Sequence, residues 1–220
     1  MISKFQYITG NGTNEQVLIR IRDYCRAGGQ WVQLRAKDRP FKQLLELATQ
    51  ARSICSHNNA KLIINDHPDI ARAVNAFGVH LGKEDMSASQ ARKVLFDHQI
   101  IGSTCNSWED IHKIFEEGNS DYIGLGPYRE TQTKAKLSPI LGLDGLRQIL
   151  LQKEMTDNSL PIVIVGGIQE PDLEEIYDTG IYAVAASSMV ENSKDVSGLV
   201  KRIEKITEQE LDHAKFETSW

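Results

Sequence analysis

Short apolar runs alternate with longer stretches of helical periodicity along nearly the whole chain. Eight runs read as strands: Phe5–Thr9, Trp31–Arg35, Lys61–Asn65, Gly78–Leu81, Gln99–Ser103, Tyr122–Leu125, Ile162–Val165 and Tyr182–Ala186. Their near-continuous apolar character is that of a parallel sheet covered on both faces. Between them, Phe41–Ser56 places Leu44, Leu45, Leu47, Ala48, Ala51 and Ile54 near helical spacing. Pro40 and Pro171 stand where a proline best opens a helix, since its missing N–H costs nothing there. Strand spacings of roughly 20 to 30 residues fit β-α repeats. The pattern predicts an α/β chain folded as a single-domain (β/α)8 TIM barrel over residues 1–207, slightly below the usual ~250 residues. Residues 208–220 read as the end of the last helix and a polar tail.

The competing architecture is an open doubly wound sheet, with five or six strands and a G-x-G-x-x-G turn after the first. The segment Thr9-Gly10-Asn11-Gly12-Thr13-Asn14 starts that way but lacks the third glycine. The longest non-periodic stretch, Gly126–Leu141, is rich in Thr, Lys, Pro and Gly. A loop of that length in a compact domain is usually functional, often a lid.

Charge changes the picture only by exclusion. A net charge of −5 offers no pervasive positive field for a nucleic-acid backbone. Cys25, Cys55 and Cys105 form no paired spacing and read as reduced thiols. The opening Met1-Ile2-Ser3-Lys4-Phe5 has no apolar leader core, and no apolar run approaches the ~20 residues of a membrane span. The expectation is a cytoplasmic protein without membrane contact.

In a barrel of this kind, chemistry gathers at the C-terminal ends of the strands. On the second strand, alternation puts Gln33, Arg35 and Lys37 on one face. Inside a barrel these side chains are costly unless a charged ligand meets them, the plainer reading being an ion pair with Asp38 or another acid at the mouth. The third strand ends in Asn65-Asp66 and the fourth leads into Asp85. Strands about 4.8 Å apart can bring both carboxylates to one Mg²⁺, which takes one or two carboxylates and completes its shell with water and phosphate oxygens. Alternatively, Asp66 in Asn-Asp-His-Pro is a good helix N-cap, and Asp85 could cap the helix opening at Ser87. His80, within an apolar strand, reads as a hydrogen-bonded structural histidine.

The loop after the sixth strand carries Thr131, Gln132, Thr133 and Lys134, hydroxyls and a compact charge suited to phosphate. The seventh strand ends in Gly166-Gly167, where backbone N–H groups can approach an anion, although ordinary turn geometry explains a glycine pair equally well. The eighth ends in Ser187-Ser188, and loops seven and eight form the usual phosphate cradle of such barrels. The inventory is therefore two anion sites, one of Arg/Lys plus Mg²⁺ and one of neutral donors, suited to a diphosphate and a monophosphate.

Those residues, in that order, resemble the thiamine-phosphate synthase family. Its Q-x-R-x-K is met by Gln33-Leu34-Arg35-Ala36-Lys37, its N-D by Asn65-Asp66, and its G-V-H-L-G-x-x-D by Gly78 to Asp85. Its G-P-x-x-x-T-x-T-K is met by Gly126 to Lys134 and its G-G-I by Gly166-Gly167-Ile168. The resemblance implies a Mg²⁺-dependent transferase joining 4-amino-2-methyl-5-(diphosphooxymethyl)pyrimidine to a thiazole phosphate. It implies that the segment Gln33 to Lys37, with Asn65 and Lys134, holds the pyrimidine diphosphate, and that Asp66 and Asp85 bind the metal. Arg35, Lys37 and Lys134 would neutralise leaving-group charge, and Thr131, Gln132, Thr133, Gly166, Gly167, Ser187 and Ser188 would hold the thiazole phosphate. Two small-molecule substrates are the implied partners, whether the chain acts alone or as a homo-oligomer. The family's G-x-S-x-H after strand five is here Gly102-Ser103-Thr104-Cys105-Asn106, so Thr104 keeps a hydroxyl for the diphosphate or pyrimidine and Asn106 replaces the histidine. A related thiazole tautomerase uses a histidine near that place for proton transfer, which Asn106 cannot perform. Lys83, where the family often has Gln, adds a charge beside the metal. A barrel that merely binds thiamine precursors would be expected to have lost Asp66, Asp85 or Lys134.

Overall fold

The computed structural model describes residues 2–130 and 139–217, with side chains as far as residue 208. Strands and helices alternate as β1 Phe5–Ile8, α1 Asn14–Arg26, β2 Trp31–Leu34, α2 Phe41–His57, β3 Lys61–Asn65, α3 Pro68–Ala73, β4 Gly78–Leu81 and α4 Ala88–Val94. The second half runs β5 Ile100–Cys105, α5 Trp108–Glu117, β6 Tyr122–Leu125, α6 Gly142–Glu154, β7 Ile162–Val165, α7 Leu173–Tyr177, β8 Ala183–Ala186, α8 Ser188–Glu191 and α9 Val196–Glu217. Each strand pairs in parallel with its sequence neighbours, and β8 returns to β1 to close the barrel. Tyr7 stands opposite Val32 on one side and Ala186 on the other. The (β/α)8 expectation therefore holds.

Strand alternation sorts the core into two parts. Outward residues such as Tyr7, Val32, Leu34, Ile64, Val79 and Ile123 pack beneath the helices. Inward residues Trp31, Ile63, Tyr122, Val163, Ala183 and Ala185 fill the barrel itself. The large rings fit because facing positions are empty of side chain. A Cβ on Gly102 would stand 2.1 Å from Tyr122 Cζ, and one on Gly124 would stand 2.6 Å from His80 Cε1. Trp31 and Tyr122 meet edge to face with centroids 5.3 Å apart, an arrangement the ring quadrupoles favour.

Helix starts follow local chemistry. Thr13 with Gln16 and Ser87 with Gln90 form reciprocal capping boxes for α1 and α4. Pro40 stands at the N-cap of α2, and Pro171 lies in a 3-10 turn over Glu170–Asp172 that leads into α7. The three cysteines are buried and form no disulfide among the described residues. Helix α9 packs on α1 and α7 and runs on to Glu217. Among the described residues, no helix is long and apolar enough to cross a membrane.

Candidate active site

The ends of β1 and β2 are stitched together by Thr9. Its Oγ1 accepts from the Arg35 N–H at 2.9 Å and donates to the Arg35 carbonyl at 3.2 Å. This holds the Arg35 backbone beyond the last regular residue of β2. Neither Asp38 nor any other acid pairs with Arg35, whose guanidinium has no partner among the described residues. It lines a cavity of about 690 Å³ instead.

Lys37 does find an acid: its Nζ lies 3.0 Å from Asp66 Oδ2. Neither carboxylate caps a helix. The N-cap of α3 is His67, without a side-chain bond, and that of α4 is Ser87. Asp66 adopts φ +68, a left-handed conformation that costs most side chains but that Asp tolerates. Its N–H bonds to the His80 carbonyl at 2.8 Å, which fixes the turn. Burial, then a hydrogen bond to Asp85, pushes the Asp66 carboxyl above its ordinary range, while Lys37 pulls the other way. Two carboxylates close enough to share a proton repel when both are ionised, and a hard divalent cation relieves that repulsion. The donor set thus fits Mg²⁺. Among the described residues no cluster of three or more His, Cys, Asp or Glu could hold a metal ion. Asp85 also accepts from the Gly82 N–H at 2.6 Å. Lys83 turns away from the pair to Asp110 at 2.5 Å. Against desolvation, the bond from Lys83 and the Asn106 N–H hold the Asp110 carboxyl below its usual range.

Below the mouth lies a polar column. His80 Nδ1 is 3.0 Å from the Tyr122 hydroxyl and its Nε2 is 3.0 Å from Thr104 Oγ1. Gln33 is buried and its Nε2 donates to Gln6 Oε1 at 3.1 Å. Asn65, also buried, stands in register with His80. The structural reading of His80 holds, but the Thr104 hydroxyl it bonds also lines the cavity. Asn106 donates through Nδ2 to the Gly126 carbonyl, so it ties the ends of β5 and β6 together.

On the opposite side, the loops after β6, β7 and β8 converge. Tyr128 N bonds to Val165 O and Arg129 N to Gly166 O, both at 2.9 Å. Gly166 and Gly167 have φ +104 and +69, and a Cβ on either would stand 2.9 Å from Pro127 Cα or Arg129 Cβ. Both glycines are therefore needed for conformation and for space. Ser187 and Ser188 open α8, and neither side chain caps it. Glu191 braces this side, accepting from the Gly10 N–H at 2.7 Å and from the Tyr7 hydroxyl.

The cavity joins Arg35 and Thr104 to Gly166, Gly167, Ser187 and Ser188. Lys37, Asn65, Asp66 and Asp85 stand outside its lining, on the side of β3 and β4. Leu34 and Ala36 belong to the core beneath the helices, because alternation turns them away from the face that carries Arg35, leaving only their backbone for a ligand. Gln33 likewise lies below the cavity wall. Thr131, Gln132, Thr133 and Lys134 lie outside the described residues. Sequence reasoning missed Thr9, Arg129, Asp172 and Glu191, whose partners are distant in the chain.

Residues 5–190 fit the family model described as thiamine monophosphate synthase. The thiamine-phosphate synthase of Flavobacterium psychrophilum is 40% identical over 205 residues, covering 93% of this chain and 99% of the relative. That of Phocaeicola vulgatus is 42% identical over 200 residues, covering 91% and 96%. Among solved structures, a thiamine phosphate pyrophosphorylase from Pyrococcus furiosus superposes with a TM-score of 0.81 at 29% identity, covering 94% of this chain and 96% of that one. With the match spanning every strand of the barrel and both halves of the site, the chain belongs to the thiamine monophosphate synthase family.

Proposed function

We propose that the chain is a Mg²⁺-dependent thiamine-phosphate synthase acting in the cytoplasm. It condenses 4-amino-2-methyl-5-(diphosphooxymethyl)pyrimidine with a thiazole phosphate, giving thiamine phosphate and diphosphate. The observation that carries this reading is the Arg35 guanidinium, unpartnered among the described residues, which lines one cavity with the Gly166-Gly167 turn. An anion at Arg35 and a second at the turn put two phosphorylated substrates face to face.

The reaction breaks the bond between the pyrimidinylmethyl carbon and the diphosphate oxygen, and the electron pair leaves with diphosphate. The thiazole nitrogen then donates its lone pair to the methylene carbon. Such a step needs leaving-group charge neutralised rather than a strong base. Asp66 and Asp85 would hold Mg²⁺, which would supply positive charge to the departing diphosphate. Arg35 brings a planar fork that matches phosphate oxygens, and Lys37 and Lys134 bring compact ammonium charge. Asn65 and Thr104 offer polar contacts on the pyrimidine side, with Gln33 supporting them from beneath. The Gly166-Gly167 turn, Ser187, Ser188, Thr131, Gln132 and Thr133 hold the thiazole phosphate through neutral donors. Tautomerase chemistry is not supported: the amide at Asn106 has no base to offer, and it is bound to the Gly126 carbonyl.

The test is direct. Purified protein, both phosphorylated precursors and Mg²⁺ should yield thiamine phosphate and diphosphate in equal amounts. Absence of both products with ample Mg²⁺ overturns the reading.

A further inference from the structure

We infer that Arg129 is a positioning residue for the thiazole phosphate, locking the Gly166-Gly167 turn so that its free N–H groups are held ready for an anion. This rests on the function proposed above and adds a residue to it. Arg129 lines the cavity, and an arginine there invites assignment as a phosphate ligand. Its hydrogen bonds say otherwise. Nη1 donates to Asp172 Oδ2 and Nη2 to Asp172 Oδ1, each at 2.8 Å, so the fork already faces a carboxylate. Such bidentate pairs are among the most directional contacts a protein makes. Nη1 also donates to the Gly167 carbonyl at 2.8 Å. Asp172 in turn accepts from the Gln169 N–H at 2.8 Å, which closes the far end of the same turn.

The consequence for the cradle follows from peptide planarity. In a trans peptide the N–H points opposite to the carbonyl of the residue before it. The Gly166 carbonyl is turned to the Arg129 N–H and the Gly167 carbonyl to the Arg129 guanidinium. The N–H groups of Gly167 and Ile168 therefore point away from the β6 loop, and neither has an acceptor among the described residues. Both residues line the cavity. One residue thus sets the orientation of two adjacent amide donors, its backbone N–H holding the first peptide and its guanidinium the second. The fit is close, because a Cβ on Gly167 would stand 2.9 Å from Arg129 Cβ.

The test compares Arg129→Gln, Asp172→Asn and the double variant, with coupling kinetics for each substrate and calorimetric binding of the thiazole phosphate alone. Each single change should raise KM and Kd for the thiazole phosphate about tenfold, the effect of losing one to two good hydrogen bonds. KM for the pyrimidine diphosphate should move less than twofold, and the double variant should be no worse than either single one. Asp172→Asn is nearly isosteric, so its folding, checked by melting, is preserved. A direct phosphate contact by Arg129 predicts the reverse for Asp172→Asn: the freed guanidinium would bind thiazole phosphate as well as or better than before. That result overturns the inference, as does an equal rise in both KM values. Calorimetry keeps the two readings separable. If the wild-type protein forms no thiamine phosphate, the proposed function fails, and the binding series still decides the role of Arg129.

Discussion

Asp66→Asn should leave the fold nearly as stable as before and remove most of the turnover. Asp66 keeps 16% of its side chain exposed and lies 3.0 Å from Lys37. Burial and Asp85 raise its carboxyl pKa, so in the metal-free protein ionised Asp66 is a liability. The native state holds that proton more tightly than the unfolded chain. Stability is therefore lost as pH climbs from the ordinary carboxylate value through the raised one, and stays lost above it. Asparagine removes this liability and leaves Lys37 without its pair. With the lysine side chain 49% exposed, that pair is worth about 0–1 kcal/mol. The two effects oppose, and Tm should stay within about 2–4 °C of the wild type for a chain of this size. Turnover should fall by about 10²–10³, the loss of roughly 3–4 kcal/mol of electrostatic stabilisation. Thermal melts with Mg²⁺ and inorganic diphosphate give a second readout. At a hundredfold excess over Kd the wild type gains about 2.7 kcal/mol, a rise of roughly 5–10 °C. Asp66→Asn should show little rise. Asp85→Asn should behave alike, because an asparagine oxygen can still accept from the Gly82 N–H. Activity within fivefold of wild type in both variants at ample Mg²⁺, or a retained rise in Tm, refutes the metal assignment.

Asn106→His should leave coupling largely intact, since the ring keeps a nitrogen donor near the Gly126 carbonyl; rapid isomerisation of the thiazole carboxylate phosphate by the native protein would instead restore the tautomerase alternative. Gly166→Ala places a Cβ 2.9 Å from Pro127 Cα at φ +104, where backbone cannot yield cheaply. It should cost about 1–3 kcal/mol and raise KM for the thiazole phosphate, and an unchanged melt with unchanged KM refutes the close approach. Lys134→Ala should lower kcat by two to three orders of magnitude, a loss of about 3–4 kcal/mol, with Lys134→Arg recovering little. A loss below fivefold removes Lys134 from the site.

The barrel was legible because its signal is repeated: β3, β4, β6 and β7 span the same residues in pattern and structure. Boundaries moved where a side chain intervenes. Gln99 reads as strand, but its amide donates to the carbonyls of Ala71 and Ala76, so β5 begins at Ile100. It continues to Cys105 because Thr104 and Cys105 pair with Gly124 and Leu125, which a run ending at Ser103 does not foretell. Thr9 and Arg35 extend the pattern of β1 and β2, and beyond the Thr9 N–H bond to the Gln33 carbonyl they are joined by a side-chain clamp.

The site was legible as residue types at strand ends and illegible as contacts. Glu191 is 184 positions from Tyr7, and Arg129 is 43 from Asp172; no local rule couples such pairs, and only the closure of β8 on β1 and the pairing of β6 with β7 bring them together. The sharpest case is Asn65-Asp66-His67-Pro68. Local chemistry offers Asp66 as the helix cap, which would satisfy orphan N–H groups at about 1 kcal/mol. The structure declines that contribution: α3 starts at Pro68 behind His67, whose side chain makes no capping bond, and Asp66 turns into a left-handed conformation beside Lys37 and Asp85. A short helix has lost its cap, and a carboxylate has been set beside another against its own ionisation. Both costs fall on one residue, and packing alone explains neither. A ligand that rewards two adjacent carboxylates would account for both, and in the proposed function that ligand is the cation, which is why the departure from the local rule bears on the proposal more sharply than the motif does.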